Sequence, residues 1–277
     1  RGRRQGSTDA ELRSTYVDAE EAAMMRTLAR INGDDASRKA GNAYSQTNRT
    51  RIQGRLNAMK AEGIVPMDPE YVYEGYEINE AWVIMIGVAM DHKRLNTAPD
   101  TVDNADSSIE VGEQYNRAAR VSRNLSNHIL EQGHYAKAYA GPYASALLMI
   151  PPAIAAGFGE LGKHGSMINR TYGSSFRLSA VTTDMPLLGD APDMFGADDF
   201  CSSCQVCTKA CPPGAISETK QTVRGVEKWY VDFDKCIPYF GEALGCGICI
   251  ARCPWSRPGT APKLAEKMTA RRNRRAD

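Results

Sequence analysis

The segment FCSSCQVCTKACPPGAIS, residues 200–217, decides the fold of this chain of 277 residues. It contains four cysteines in the spacing C-x2-C-x2-C-x3-C, namely Cys201, Cys204, Cys207 and Cys211, and a proline follows directly. A second group ends in the half-motif C-x2-C-x3-C-P and comprises Cys236, Cys246, Cys249 and Cys253. The sequence has no other cysteines, so its thiol chemistry is confined to the C-terminal part.

The first cysteine run has the spacing found in bacterial ferredoxins that carry two iron–sulfur clusters. In that pattern three closely spaced thiolates bind one cluster, and the cysteine before the proline binds the other. We therefore predict two [4Fe–4S] clusters with crossed ligand sets. The first set is Cys201, Cys204, Cys207 and Cys253, and the second is Cys211, Cys236, Cys246 and Cys249. A chain with these clusters is expected to transfer single electrons.

Two other uses of cysteine fit the sequence less well. A disulfide framework is typical of small secreted domains, whereas 200 residues without cysteine precede the first run here. Zinc ribbons use two C-x2-C pairs, and the C-x3-C-P ending is not part of their pattern. The cysteines also predict a reducing or protected compartment during cluster assembly.

Composition limits the class of protein. With 277 residues and 42% hydrophobic content, the chain can build one core and a smaller second unit. The net charge of +1 gives no sign of a nucleic-acid partner. Arginines cluster within 1–4 and 271–275, and we expect both ends to be solvated or disordered. No transmembrane segment and no signal-peptide core are visible. Cytoplasm is therefore the expected compartment, and periplasm if an export signal was removed.

Hydrophobic patterning predicts mixed helices and strands ahead of the cysteines. The predicted helices are 9–31, 46–62 and 111–132, and the predicted strands are 81–90, 134–140 and 176–183. Between them we expect a polar loop over 98–110, mostly loop and short helix over 141–175, and a linker over 185–199. The resulting parts are an N-terminal helical segment 1–70, a core 71–199, a two-cluster module 200–257 and a basic tail 258–277.

A glycine loop lies in the predicted core. Gly157, Gly159 and Gly162 match the G-x-G-x-x-G pattern of dinucleotide-binding loops. That fingerprint requires a strand directly before the first glycine, and Pro151 and Pro152 argue against a central strand there. We expect instead a backbone that approaches a flat or large group closely. Glycines that only punctuate a loop are the alternative.

Five segments in this order resemble the cobalamin-dependent reductive dehalogenase family and its tRNA-modifying relative, epoxyqueuosine reductase. They are IPPAIAAGFGELGKHGSMI (150–168), FRLSAVTTDMPL (176–187), FCSSCQVCTKACPPGAIS (200–217), WYVDFDKCIPYF (229–240) and CGICIARCPW (246–255). The resemblance covers roughly residues 80–257. The first two segments make it more specific than the cysteine run alone, which many ferredoxins share.

The resemblance implies an α/β (α+β) fold, with a nitroreductase-like core that binds a base-off corrinoid (cobalamin) and a C-terminal ferredoxin-like module with two [4Fe–4S] clusters. Gly157, Gly159, Gly162 and Lys163 are the candidates for corrinoid binding. The family lacks the D-x-H-x-x-G motif of other cobalamin enzymes, and no histidine of this chain has that context. No histidine is therefore expected to bind cobalt.

The resemblance also implies a proton donor about a dozen residues before the glycine loop. This donor is Tyr in dehalogenases and Asp in epoxyqueuosine reductases. Counting back gives Tyr143, with Tyr135 and Tyr139 as alternatives. The family places a Lys or Arg nearby, for which Arg177 is the first match and Lys163 the second. An ordinary salt bridge in a strand is the other role considered for Arg177.

The resulting hypothesis is a reductive dehalogenase that removes halide from an organohalide by Co(I) chemistry with a tyrosine proton donor. Electrons would come from a separate ferredoxin or flavoprotein reductase. They would pass from the outer cluster to the inner one, held by the first ligand set. The alternatives are another corrinoid-dependent reductase or demethylase, similar to epoxyqueuosine reductase, and a two-cluster electron carrier without corrinoid.

Overall fold

The computed structural model describes residues 62–101, 103–141 and 146–276. Its strands are β1 (Glu62–Pro66), β2 (Trp82–Ala89), β3 (Ala136–Ala140), β4 (Glu160–Leu161), β5 (Met167–Ile168), β6 (Phe176–Thr183), β7 (Gln221–Val223) and β8 (Val226–Lys228). Its α-helices are α1 (His92–Leu95), α2 (Asp106–Glu131), α3 (Ile150–Ala155), α4 (Ala197–Ser203), α5 (Val206–Ala210), α6 (Phe233–Glu242), α7 (Ile248–Arg252) and α8 (Thr260–Ala276). Except for residue 62, which begins β1, the predicted helices 9–31 and 46–62 lie outside the described residues.

A four-stranded antiparallel sheet in the order β1-β2-β6-β3 forms the centre of the core. The apolar run of β2 predicts a strand that is buried on both faces. In the structure, β2 lies inside the sheet and has a strand neighbour on each side. Val83 and Met85 pack into the apolar cluster on one face, and Ile84 and Ile86 pack into the cluster on the other. The predicted strand 176–183 has its predicted ends, and the predicted strand 134–140 begins at Ala136.

Helix α2 covers one face of this sheet. Ala118, Val121, Leu125 and Ile129 recur every three or four residues along it, and all four are buried in the same cluster as Ile84. This spacing places them on one side of the helix, as the sequence pattern predicts. The chain leaves the helix through Gly133, whose positive φ of 84° suits a residue without a side chain.

The structure corrects the predicted loop over 98–110, because α2 already begins at Asp106. The carboxylate of Asp100 accepts hydrogen bonds from the amides of Ser107, at 3.2 Å, and Ser108, at 2.5 Å. These amides have no partner within the first turn of the helix. The cap therefore comes from a residue six positions upstream of the helix, outside the local pattern on which a helix start is predicted.

The C-terminal tail is helical, and its arginines at 271, 272 and 274 are exposed, which fits the solvated and not the disordered alternative. Ala261, Ala265 and Met268 of α8 are buried and pack in one cluster with Phe195 and Trp255. Arg272 donates a hydrogen bond to the carbonyl of Met194 at 2.6 Å, which joins α8 to the segment before α4. The exposed arginines thus occupy the outer side of a helix whose inner side is apolar.

The module that follows the core is built from short helices and one hairpin. Helix α4 leads into α5, β7 pairs with β8, and α5 packs against α7. The mixed helix and strand fold expected from the sequence is confirmed, with an antiparallel core sheet. Within the described ranges no helix has the length and apolar character needed to cross a membrane.

The orientation of α2 can be tested with two adjacent residues. Ile129 is 0% exposed and Leu130 is 46% exposed. Ile129→Ala should lower the free energy of unfolding by about 2–5 kcal/mol, because it removes buried methyl groups and leaves a cavity. Leu130→Ala is the matched control and should change it by less than about 0.5 kcal/mol. Denaturant titration followed by circular dichroism measures both, and equal losses would contradict the observed helix face.

Candidate functional site

The eight thiols lie in two adjacent groups. Burial raises the pKa of Cys253 to about 12, and the thiols of Cys201, Cys207 and Cys204 act in the same direction. Burial likewise raises the pKa of Cys249 to about 12, and Cys246, Cys207, Cys211 and Cys236 add to this effect. Such mutual effects require short distances between the thiols. The first group is Cys201, Cys204, Cys207 and Cys253, and the second is Cys211, Cys236, Cys246 and Cys249. These groups are compatible with the predicted ligand sets, although Cys207 also packs with Cys211, Cys236 and Cys249. The ligand assignment and the binding of iron stay predictions.

Backbone amides point at several of these sulfurs, which suits thiolate ligands. The amide of Ala215 donates to Sγ of Cys211 at 3.4 Å. The amide of Trp255 acts on Cys253 and that of Ile248 on Cys246, each lowering a pKa that burial raises. No three described His, Cys, Asp or Glu side chains converge where a single ion would sit. The four thiolates of a [4Fe–4S] cluster bind separate irons and therefore lie farther apart.

The two groups differ in their access to solvent. In the first group, Cys201, Cys207 and Cys253 are buried, with 4–6% of their surface exposed. All four cysteines of the second group are half-buried. Helix α6, which carries Cys236, has no buried residue. The first group therefore lies deeper in the protein, and the second lies near the surface.

Lys163 points into the cluster module. Its side chain is 1% exposed, and its Nζ donates hydrogen bonds to the carbonyls of Cys204, at 2.8 Å, and Glu218, at 2.9 Å. The ammonium also lies 4.7 Å from the centre of the Trp229 ring. Lys163 is therefore a neighbour of the first thiol group. The structure does not support the second-choice role of Lys163 as the cation beside the proton donor.

The glycine loop packs against its own protein. A Cβ on Gly157 would lie 2.7 Å from the carbonyl oxygen of Ala191, and one on Gly159 would lie 1.9 Å from that of Ile168. The φ angles of these two glycines, 80° and 136°, are also in the region that side chains disfavour. These contacts account for the glycines without a bound group. The predicted approach of this loop to a corrinoid stays a prediction.

Arg177 lies on β6, on the sheet face covered by α2. Its guanidinium carbon is 4.9 Å from the centre of the Tyr115 ring, a contact that sequence spacing did not indicate. Its Nε is buried and has no hydrogen-bond partner among the described residues. A buried donor without a partner is costly unless another group binds it. The salt bridge considered for Arg177 is not among the ion pairs of the described residues.

The three candidate proton donors are placed differently. Tyr143 lies outside the described residues. A Cβ on Gly141, two positions before it, would lie 3.2 Å from the ring of Tyr115, so this strand end reaches the neighbourhood of Arg177. Tyr135 is 52% exposed at the surface, and Tyr139 is buried in the apolar cluster on the opposite face of the sheet.

Glu160 joins the core to the cluster module, a role that the sequence did not reveal. Its buried carboxylate accepts hydrogen bonds from the amides of Gly196, at 2.5 Å, Ala197, at 3.0 Å, and Asp198, at 3.2 Å. These amides belong to the first turn of α4 and its cap, which otherwise lack partners. The segment from Glu160 to Lys163 therefore holds the first turn of the module in place through hydrogen bonds from the core.

His164 holds the same segment in place as a neutral side chain. Its Nδ1 accepts from the amide of Ser166 at 3.2 Å, so Nε2 carries the proton and donates to the hydroxyl of Ser174 at 3.0 Å. That hydroxyl donates in turn to the carbonyl of Met167 at 2.7 Å. Burial lowers the pKa of His164 to about 4, which makes it a packed polar residue at neutral pH.

His164 should make stability depend on pH. An unfolded histidine titrates near 6.5, so below that pH the unfolded chain binds a proton that the folded chain does not. The stabilisation is complete above pH 6.5 and decreases as the pH falls towards 4, by about 3 kcal/mol in all. His164→Gln keeps a donor for Ser174 but cannot titrate, so its unfolding free energy should lack this decrease. Identical pH profiles in urea titrations of both proteins would contradict the neutral buried state.

Comparisons with known proteins agree with the fold and the thiol groups. The model of the 4Fe-4S dicluster domain matches residues 200–256. The tetrachloroethene reductive dehalogenase of Sulfurospirillum multivorans is 32% identical over 184 residues, which make up 63% of this chain and 35% of that protein. The epoxyqueuosine reductase of Synechocystis sp. is 34% identical over 125 residues, 39% of each chain.

Solved structures extend this similarity to the overall fold. A catabolic reductive dehalogenase in complex with 3-bromo-4-hydroxybenzoic acid matches with a TM-score of 0.72 and 25% identity, over 85% of this chain and 36% of that one. The predicted resemblance to reductive dehalogenases and epoxyqueuosine reductases is therefore confirmed. The chain spans about a third of the length of the dehalogenases it matches.

Proposed function

We propose that this chain provides the catalytic core and the electron relay of a corrinoid-dependent reductive dehalogenase. The observation that carries the proposal is the pair of adjacent thiol groups, one mostly buried and one half-buried, in a chain related to tetrachloroethene reductive dehalogenases. Such an enzyme replaces the halogen of an organohalide by hydrogen. The reaction consumes two electrons and one proton and releases halide.

The difference in exposure supports a direction for the electrons. The second thiol group is half-buried beside the exposed helix α6, so a cluster there would accept electrons from a separate ferredoxin or flavoprotein reductase. In the first group, Cys201 and Cys253 are buried and share an apolar cluster with Ile168 of β5. A cluster in this position would pass electrons from the second group to the core. The proximity of Cys207 and Cys249 supports transfer between the two.

A corrinoid, when bound, would supply Co(I), which provides the electrons that expel the halide. Gly157, Gly159 and Gly162 remain our candidates for contacts to it, through main-chain atoms, because their Cβ directions face the protein. The buried Nε of Arg177 supports a polar group bound beside it, on the face of the sheet that α2 covers, since the described residues provide no partner for it.

The protein itself would supply the proton. In this proposal Tyr143 donates its phenolic proton to the carbon from which the halide leaves. The guanidinium of Arg177 would stabilise the resulting phenolate and so lower the pKa of the phenol. Solvent would then return the proton to Tyr143.

Tyr143 also bears on the choice between related functions. The similarity to epoxyqueuosine reductase keeps a corrinoid-dependent reductase of another substrate class as an alternative. The resemblance stated above assigns Asp to the donor position of those enzymes, whereas this chain has Tyr143. This difference favours dehalogenation.

Metal content tests the proposal directly. Chain purified without oxygen and supplied with iron, sulfide and cobalamin should contain eight irons and one cobalt, because it has two sets of four thiols and one corrinoid site. Elemental analysis and acid-labile sulfide provide the measurement. Eight irons without cobalt would refute the dehalogenase and leave a two-cluster electron carrier. Fewer than eight irons would refute the cluster assignment as well.

Substitution of the tyrosines tests the proton donor. Tyr143→Phe should lower kcat for halide release from tetrachloroethene or 3-bromo-4-hydroxybenzoate about 10²–10⁴-fold, because it removes the acid but keeps the ring. Tyr135→Phe is the matched control and should leave kcat unchanged, since Tyr135 lies at the surface. Chloride and bromide release with a chemical reductant measures both variants. Loss of activity in Tyr135→Phe alone would transfer the role to that residue.

A further inference from the structure

Lys163 places a positive charge inside the protein without an anionic side chain to balance it. Its side chain is 1% exposed, and the two acceptors of its Nζ are neutral carbonyls. None of the ion pairs among the described residues includes Lys163. Burying an ion is costly unless an opposite charge lies nearby. We therefore expect a negative group close to the ammonium of Lys163 that is not one of the described side chains.

The ammonium of Lys163 lies against the main chain of the first thiol group. The backbone amide of Lys163 hydrogen-bonds to the sulfur of Cys201, and the charge of its side chain also acts on that sulfur. The charge of Lys163 also favours negative charge on the sulfur of Cys207. A hydrogen bond from the Nζ to the carbonyl of Cys204 adds a third contact within the same group. Main chain and side chain of Lys163 thus both favour negative charge on Cys201, and the side chain also favours it on Cys207.

Lys220 provides an instructive contrast, because it lies at the same tryptophan. Its Nζ is 5.5 Å from the centre of the Trp229 ring, compared with 4.7 Å for Lys163. Lys220, however, forms a salt bridge of 2.7 Å with Asp198, and its side chain is 28% exposed. Its charge is therefore neutralised by a carboxylate and screened by water. Of these two lysines, Lys163 is the one without an ion pair among the described residues.

We propose that Lys163 is the counter-charge of the cluster bound by Cys201, Cys204, Cys207 and Cys253, and that it raises the reduction potential of this cluster. Reduction adds one negative charge to the cluster, and a fixed ammonium in a poorly polarisable interior stabilises that charge. Net charge, hydrogen bonds to sulfur and solvent exposure are the properties by which proteins set such potentials. Lys163 is thus a positioning residue for electron transfer. The inference rests on the two clusters of the proposed function and needs no corrinoid.

A redox titration of the iron-loaded full chain without cobalamin tests the proposal. The signals of the reduced clusters are followed by electron paramagnetic resonance in wild type, Lys163→Met, Lys163→Arg and Lys220→Met. In Lys163→Met, one of the two one-electron transitions should shift to lower potential. At a fixed solution potential its ratio of reduced to oxidised cluster should fall at least tenfold, which corresponds to ~59 mV. Lys163→Arg keeps the charge and should stay near wild type, and Lys220→Met should change the ratio less than about twofold.

The possible outcomes separate this inference from the proposed function. A wild-type chain without eight irons overturns both. Unchanged potentials in fully loaded Lys163→Met, or an equal shift in Lys220→Met, overturn this inference alone. If Lys163→Met loses four irons while Lys163→Arg keeps eight, the positive charge is needed to hold that cluster, which supports the proposal. If Lys163→Arg also loses four irons, the site requires the shape of lysine, and the proposal is overturned.

Discussion

The packing of eight thiols between residues 201 and 253, three of them buried and five half-buried, is the constraint on which this structure depends. An apolar interior favours the neutral thiol, whereas a metal cluster requires the thiolate. The protein opposes the effect of burial with donors that point at sulfur. They are the amides of Lys163, Ala215 and Trp255. The ammonium of Lys163, which donates to the carbonyl of Cys204, adds a positive charge beside the first thiol group. Thiols that would otherwise be inert are thereby suited to binding a cluster.

The same constraint explains the segment 159–166, which includes β4 and the loop that leads to β5. The core supplies the module with a buried positive charge and with a cap for the first turn of α4. Both come from this segment. The carboxylate of Glu160 caps the first turn of α4, and the side chain of Lys163 lies against the first thiol group. His164 holds the segment in place through its hydrogen bond with Ser174. Gly159 allows the backbone to approach Ile168 closely enough for this packing. The segment is part of the core in the sequence, but its side chains contact both the core and the cluster module.

The seam between core and module is correspondingly tight. A Cβ on Gly173 would lie 2.0 Å from the carbonyl oxygen of Trp255, and the amide of Ser174 donates to the hydroxyl of Ser256 at 3.3 Å. On the outer side of the module, helix α6 remains exposed. A buried group at the seam and an accessible group at the surface are the arrangement expected of a relay, in which only one end meets a redox partner.

The sequence by itself determined the features that depend on neighbours along the chain. The spacing of the cysteines, read against the known ferredoxin pattern, predicts both thiol groups, and the apolar runs predict β2 and β6 because side-chain alternation and continuity are local properties. Only the tertiary structure decided what distant residues do to one another. Examples are the cap from Asp100, the contact of Arg177 with Tyr115, and the burial of the basic C-terminal helix against Trp255. Lys163 makes the difference clearest, because its motif says nothing of the Cys204 carbonyl, 41 residues away, to which its side chain donates.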